Sequence, residues 1–291
     1  MRSGWILLLL GGAAAIGVVT AGSTHRRLCG LAISASMLVV PFLMVGTPLV
    51  VRMSAILIAL ISTLRAIDLA KEKSLRPASV RVWHMLAVYD TKRATRCQPT
   101  VKVRRALEAV AWFGLCLAIR LLPLSRLSRV TIWLLTVLFL VAVIELITRV
   151  IEVSWALVGI QSPPMHKAPY LSRTLREFWG ARWNKVVSDW LREHCYKPLA
   201  RRGWPQYGLQ AAFAASGLMH GYIVLIVMDW WWALPIAAFF LIQAPLIWIE
   251  DVLRIRNRSA AVGHVWTMSA LLISSPLFTE PLLREMERVG R

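Results

Sequence analysis

The chain has 291 residues, of which 57% are hydrophobic, with a mean hydropathy of +0.59. A soluble domain of that length needs a larger charged surface, so composition points to a single integral membrane domain over 1–291. The net charge of +19 falls between apolar runs and comes with no base-reading motif, which excludes a nucleic-acid partner and assigns the charge to topology and anionic headgroups.

Apolar runs approaching the roughly 20 residues that cross a bilayer as helix predict an all-α polytopic fold with eight transmembrane helices. The first, about 5–22, reads as a span rather than a signal peptide, because its apolar stretch is long and more spans follow. The second runs over 28–46 and the third over 48–66, after the Gly46-Thr47-Pro48 break. The fourth and fifth cover 106–122 and 130–150, the fifth extending toward 160. The last three lie at 208–228, 232–249 and 261–278. The domain thus divides into N-terminal spans (1–66), a basic cytoplasmic loop (67–105), further spans (106–160), a cytoplasmic or interfacial segment (161–207) and C-terminal spans (208–278).

Eight spans put the three arginine- and lysine-rich connections on one side, which the positive-inside rule makes the cytoplasm. Asn257-Arg258-Ser259, a glycosylation sequon, falls on that side and is expected to be unmodified. The stretch Tyr170 to Trp179 mixes aromatic, apolar and basic residues, as helices lying in the membrane interface do. Cys29, Cys97, Cys116 and Cys195 are scattered and read as free thiols. The histidines are equally dispersed, so no metal site and no bound cofactor are expected.

Ionisable side chains at bilayer depth must face protein or an aqueous cavity. Glu145, Arg149 and Glu152 stand at spacings of four and three, which lets both carboxylates reach the guanidinium on one helix face. A self-neutralising structural cluster is the first expectation for them, and a pathway lining the second. His220 lies well inside the sixth span, among small residues at Ala212, Ser216 and Gly217 that permit close helix approach. An imidazole there can take a proton from a hydroxyl and return it.

Two elements, Phe178-Trp179-Gly180-Ala181-Arg182-Trp183-Asn184 and Ser216-Gly217-Leu218-Met219-His220-Gly221, occur in that order. Together they resemble the membrane-bound O-acyltransferase (MBOAT) superfamily, in its wax-synthase-like branch. The resemblance covers about 160–278 and departs at Ala181, where the family element usually has arginine. The chain is also short for the superfamily, which implies fewer accessory helices. The resemblance implies an MBOAT-like fold and acyl transfer from acyl-CoA, a co-substrate rather than a cofactor, to the hydroxyl of a hydrophobic alcohol. His220 falls on the family's catalytic histidine and Asn184 on its companion polar residue. Trp179, Arg182, Trp183, Lys185, Arg173, Arg176 and Ser216 become candidate substrate or acyl-CoA contacts, the basic ones for phosphates. The HHxxxDG element of the soluble wax ester synthases is absent. The rival expectation is a transporter or channel whose pathway is lined by His220 and the Glu145, Arg149 and Glu152 cluster. The compact, arginine-rich chain points to a bacterial inner membrane rather than endoplasmic reticulum.

Overall fold

A computed structural model describes residues 12, 24–44, 46–71, 77–86, 94–123 and 126–289. It divides into two compact units, 1–91 with 221–230 and 92–220 with 231–291. The expected first span, 5–22, lies outside the described residues except for Gly12.

In the first unit α1 (Thr24–Ser36) runs into a 3-10 turn, Met37–Leu43, that contains Pro41. The expected break follows, with Gly46 at a φ of 78° and Pro48 ahead of α2 (Leu49–Ala70). Ala55 and Ala59, one turn apart and fully buried, pack with Met37 and Met44, so small residues on α2 set the approach of the preceding turn. Asp68 then pairs with Arg65 and with His84 of α3 (Ala78–Leu86), each at 3.2 Å.

The second unit opens with a two-residue antiparallel pairing of β1 (Thr95–Arg96) with β2 (Ile160–Gln161). Between the strands stand α4 (Pro99–Arg120) and α5 (Arg129–Leu157). Proline suits the first position of α4, and Ser128 caps α5 by accepting from the Thr131 N–H at 3.2 Å. A long segment of short turns and α6 (Lys185–Leu191) leads to α7 (Pro205–Val227), whose residues from 221 on belong to the first unit. The chain then forms α8 (Ala233–Leu241), α9 (Gln243–Val252), α10 (Ala260–Ser274) and α11 (Pro276–Val289). Pro245 has no N–H to donate to the Leu241 carbonyl, which accounts for the interruption between α8 and α9.

The fold is that of an all-α membrane protein, and the described residues do not show all eight expected spans. Among the described residues four helices are long and apolar enough to cross a membrane: Val51–Ala70, Arg129–Leu157, Pro205–Val227 and Trp230–Val252. A fifth is counted if Ala260–Ser274 and Pro276–Glu285, bent by 41°, form one span. The expected second span offers only Leu28–Leu43, and the expected fourth lies in α4, which carries Lys102, Arg104, Arg105, Glu108 and Arg120. That helix begins seven residues before the expected start, so the stretch from Pro99 to Arg105 is helix rather than loop.

The segment after β2 also differs from the expected interfacial helices. Tyr170 to Trp179 folds as a 3-10 turn (Pro169–Leu171), a single helical turn (Leu175–Glu177) and the start of a π-helical turn (Phe178–Arg182). Leu175 is fully buried among Phe213, Ala244, Ile247 and Ala270, with Trp179 packed beside them. The backbone of this segment closes directly on α10: a Cβ on Gly263 would stand 2.5 Å from the Arg173 carbonyl oxygen. Only glycine permits that approach.

Candidate active site

Asn184 begins α6 from the left-handed region, at φ 38° and ψ 63°, a conformation asparagine tolerates better than most residues. Hydrogen bonds on both sides fix it. The Trp183 N–H donates to the Phe178 carbonyl at 2.8 Å, and the Lys185 N–H donates to the Met165 carbonyl at 2.8 Å. The Asn184 Oδ1 accepts from the Val187 N–H at 3.3 Å. A backbone donor identifies that atom as oxygen, so Nδ2 is the other end of the amide. It has no hydrogen-bond partner among the described residues.

The two indole rings of this element are held by different means. Trp183 stacks between His166, at a centroid distance of 4.7 Å, and Phe178, at 5.5 Å. Trp179 donates from Nε1 to the Gln243 Oε1 at 3.1 Å and meets Phe213, Phe239 and Phe240 edge-on. Gln243 is itself fully buried and donates to the Phe239 carbonyl and the Ser274 hydroxyl.

His220 sits on α7. Its Nδ1 lies 2.8 Å from the Ser216 carbonyl oxygen, which can only accept, so Nδ1 carries the hydrogen. Nε2 is then the basic nitrogen. The ring stacks on Phe240 at 4.1 Å. The next turn is tight: a Cβ on Gly217 would stand 3.2 Å from the Ala237 carbonyl of α8.

One cavity of about 430 Å³ is lined by Arg176, Trp179, Trp183, Asn184, Ser216 and His220, together with Phe213 and Phe240. Six of the nine expected site residues therefore share one space. The other three do not line it. Arg182 donates from Nε to Glu177 at 2.7 Å and from Nη1 to the Lys167 carbonyl, while Lys185 pairs with Asp189 at 2.7 Å. Arg173 and Arg182 line a second, larger cavity, whose wall also includes Arg176. Glu177 is pushed up by burial, but the Arg173 N–H and the Arg182 guanidinium outweigh this and hold its carboxyl below the ordinary value.

The charged cluster on α5 is buried and paired charge to charge. Arg149 bonds Glu145 at 2.9 Å and Glu152 at 2.5 Å, and Arg105 of α4 lies 3.1 Å from Glu152 and 3.0 Å from Glu108. His166 Nδ1 is 3.2 Å from Glu145, and the Met165 N–H reaches Glu152 at 3.4 Å. With each charge facing an opposite one, no feature of the cluster favours a transport pathway. Sequence reasoning found the first three members but missed His166, Arg105 and Glu108. It also missed Glu250, 3% exposed, which accepts from the Leu175, Arg176 and Trp266 N–H groups.

An imidazole and an amide thus stand around one partly apolar cavity in an all-α membrane protein. Comparison with known proteins agrees with that class. Residues 162–242 match the membrane bound O-acyl transferase family, and this stretch contains both elements that carried the resemblance. The chain is 31% identical over 141 residues to a probable long-chain-alcohol O-fatty-acyltransferase 2 of Arabidopsis thaliana, covering 44% of this chain and 41% of that protein. It is 29% identical over 147 residues to the long-chain-alcohol O-fatty-acyltransferase of Simmondsia chinensis, with the same two coverages. The alignments thus span about two fifths of these relatives' length. Both are plant enzymes, which gives the expected bacterial inner membrane no support.

Proposed function

We propose that the protein is a membrane-bound O-acyltransferase that moves an acyl group from acyl-CoA to the hydroxyl of a hydrophobic alcohol. The single observation that carries this reading is the bond from His220 Nδ1 to the Ser216 carbonyl, which leaves a basic Nε2 in the cavity that Asn184 also lines. His220 Nε2 takes the proton of the alcohol as its oxygen attacks the thioester carbonyl carbon. Negative charge develops on the carbonyl oxygen, and the free Nδ2 of Asn184 is the donor suited to it. The intermediate collapses with cleavage of the C–S bond, and the imidazolium returns its proton to the CoA thiolate. The base is regenerated, and ester and CoA leave. No covalent acyl-enzyme is needed.

The cavity's apolar wall, from Phe213, Phe240, Leu209 and Ile247, suits an aliphatic chain, and the names of the relatives make a long-chain alcohol the first acceptor to try. The test is ester formation and free CoA release by purified protein, with donors from acetyl- to palmitoyl-CoA and acceptors from fatty alcohols to terpenols. Ester formation that disappears in a folded His220→Ala variant is the expected result. Turnover that survives that substitution removes His220 from the mechanism.

A further inference from the structure

The second cavity, about 1010 Å³, is far larger than the one around His220 and has a different chemistry. Arg173, Arg176, Arg182, Arg256 and Arg258 line it, against the single carboxylate of Glu177. Arg176 and Arg182 are held by Asp251 and Glu177. Arg256 and Arg258 are exposed and have no carboxylate partner among the described residues, and Arg173 has no salt bridge there either, its charge acting on Glu177 only at longer range. The first turn of α10 also lines the basin, at Ser259, Ala260 and Ala261. The opening N–H groups of a helix have no intrahelical acceptor, so they add donors to the same wall. His264 Nδ1 is bound to the Ser172 carbonyl, which leaves Nε2 as the ring's other polar atom.

Like charges do not gather in a concave space without cost, and unpaired guanidiniums there fit the oxygens of an anion better than water alone. The geometry points to a phosphate-binding basin formed by Arg173, Arg256, Arg258 and the first turn of α10, separate from the His220 cavity and meeting it only at Arg176. Two phosphate sources are compatible: the phosphates of a nucleotide-bearing acyl donor, which rests on the proposed acyl transfer, and the headgroup of an anionic lipid, which does not.

The test uses the full chain in neutral detergent, comparing wild type with Arg256→Glu/Arg258→Glu and Arg256→Lys/Arg258→Lys. Both positions are exposed, and melting curves establish that each variant is folded; Arg256→Gln/Arg258→Gln replaces the glutamate pair if it is not. The probes are free CoA, dioctanoyl phosphatidylglycerol and dioctanoyl phosphatidylcholine, titrated at low and high salt. Losing two charged contacts should weaken a phosphate probe by roughly tenfold or more at low salt, with the lysine pair retaining much of the binding. Weakening for CoA assigns the donor phosphates; weakening for phosphatidylglycerol but not phosphatidylcholine assigns a headgroup. Unchanged binding of both anions overturns the proposal. His220→Ala should leave probe binding intact, so an inactive wild type that still shows the arginine dependence refutes the acyltransferase reading alone.

Discussion

Glu250→Leu should loosen the segment that leads to Asn184. The Glu250 carboxylate accepts from the Leu175 N–H at 2.5 Å, the Trp266 Nε1–H at 3.1 Å and the Arg176 N–H at 3.4 Å. Leucine fills similar volume but accepts nothing. Orphaning two donors at about 1.5 kcal/mol each, with a smaller share from the long third contact, gives a loss of about 3–4 kcal/mol. At about 2–4 °C per kcal/mol, the melting temperature should fall by roughly 6–16 °C in a tryptophan-fluorescence or thiol-reactive-dye melt. Glu250→Gln keeps one acceptor oxygen and should lose about half as much. Trp266→Phe removes one of the donors, so combining it with Glu250→Leu should cost less than the two single losses summed. A Glu250→Leu protein that melts within about 2 °C of wild type, or strict additivity in the pair, would refute the bridging role.

His220→Ala should lower turnover by about 10²–10⁴-fold in the ester-formation assay, with little change in melting temperature. Asn184→Asp retains an acceptor for the Val187 N–H but loses the Nδ2 donor, so it should stay folded and lose about 10²–10³-fold in kcat, whereas Asn184→Ala should also lose about 1 kcal/mol of cap stability in the same melt. Gly263→Ala puts a methyl 2.5 Å from the Arg173 oxygen and should cost about 1–3 kcal/mol, with faster hydrogen exchange at Leu175 and Arg176. Glu177, held below the ordinary glutamate value of about 4.3, contributes stability above that pH and loses it as pH falls through its folded-state value. Glu177→Gln should therefore flatten the acid limb of a melting-temperature profile, and an unchanged limb would count against the Arg173 and Arg182 contacts.

The apolar runs gave good positions for the helices because a bilayer-length stretch of Leu, Val, Ile and Ala has few alternatives, and the break at Gly46-Thr47-Pro48 follows from local backbone chemistry. Counting spans failed where charge and proline interrupt a run, at α4 and at the 3-10 turn over Pro41. The arrangement of 161–207 was not legible, because its determinants are far away in sequence. The mix of aromatic, apolar and basic residues from Tyr170 to Trp179 suggests an interfacial helix, yet Leu175 is buried, its N–H received by a carboxylate 75 residues on. The pairing of His166 with Glu145 is equally invisible, since nothing local distinguishes that histidine from the other five. The Phe178 to Asn184 and Ser216 to Gly221 elements could be found by resemblance; that they line one cavity could not.

The buried charges and the candidate active site are connected through this segment. Glu152 receives the Met165 N–H, the Met165 carbonyl receives the Lys185 N–H, and His166 stacks on the Trp183 ring. Glu250 fixes the same segment ten residues further along, at Leu175. Asn184 therefore follows a segment held by two carboxyl anchors drawn from separate helices, α5 and α9. A segment poor in apolar side chains has little hydrophobic gain from folding inward, and its N–H groups must find acceptors wherever water is excluded. Buried carboxyl oxygens of this kind help specify one backbone path there, and on the proposed mechanism that path holds the Asn184 amide against a developing oxyanion. On the proposed mechanism the cluster around Arg149 is structural in its chemistry and acts on the site only through this segment. Removing Glu152 should move Asn184 before it unfolds the helices.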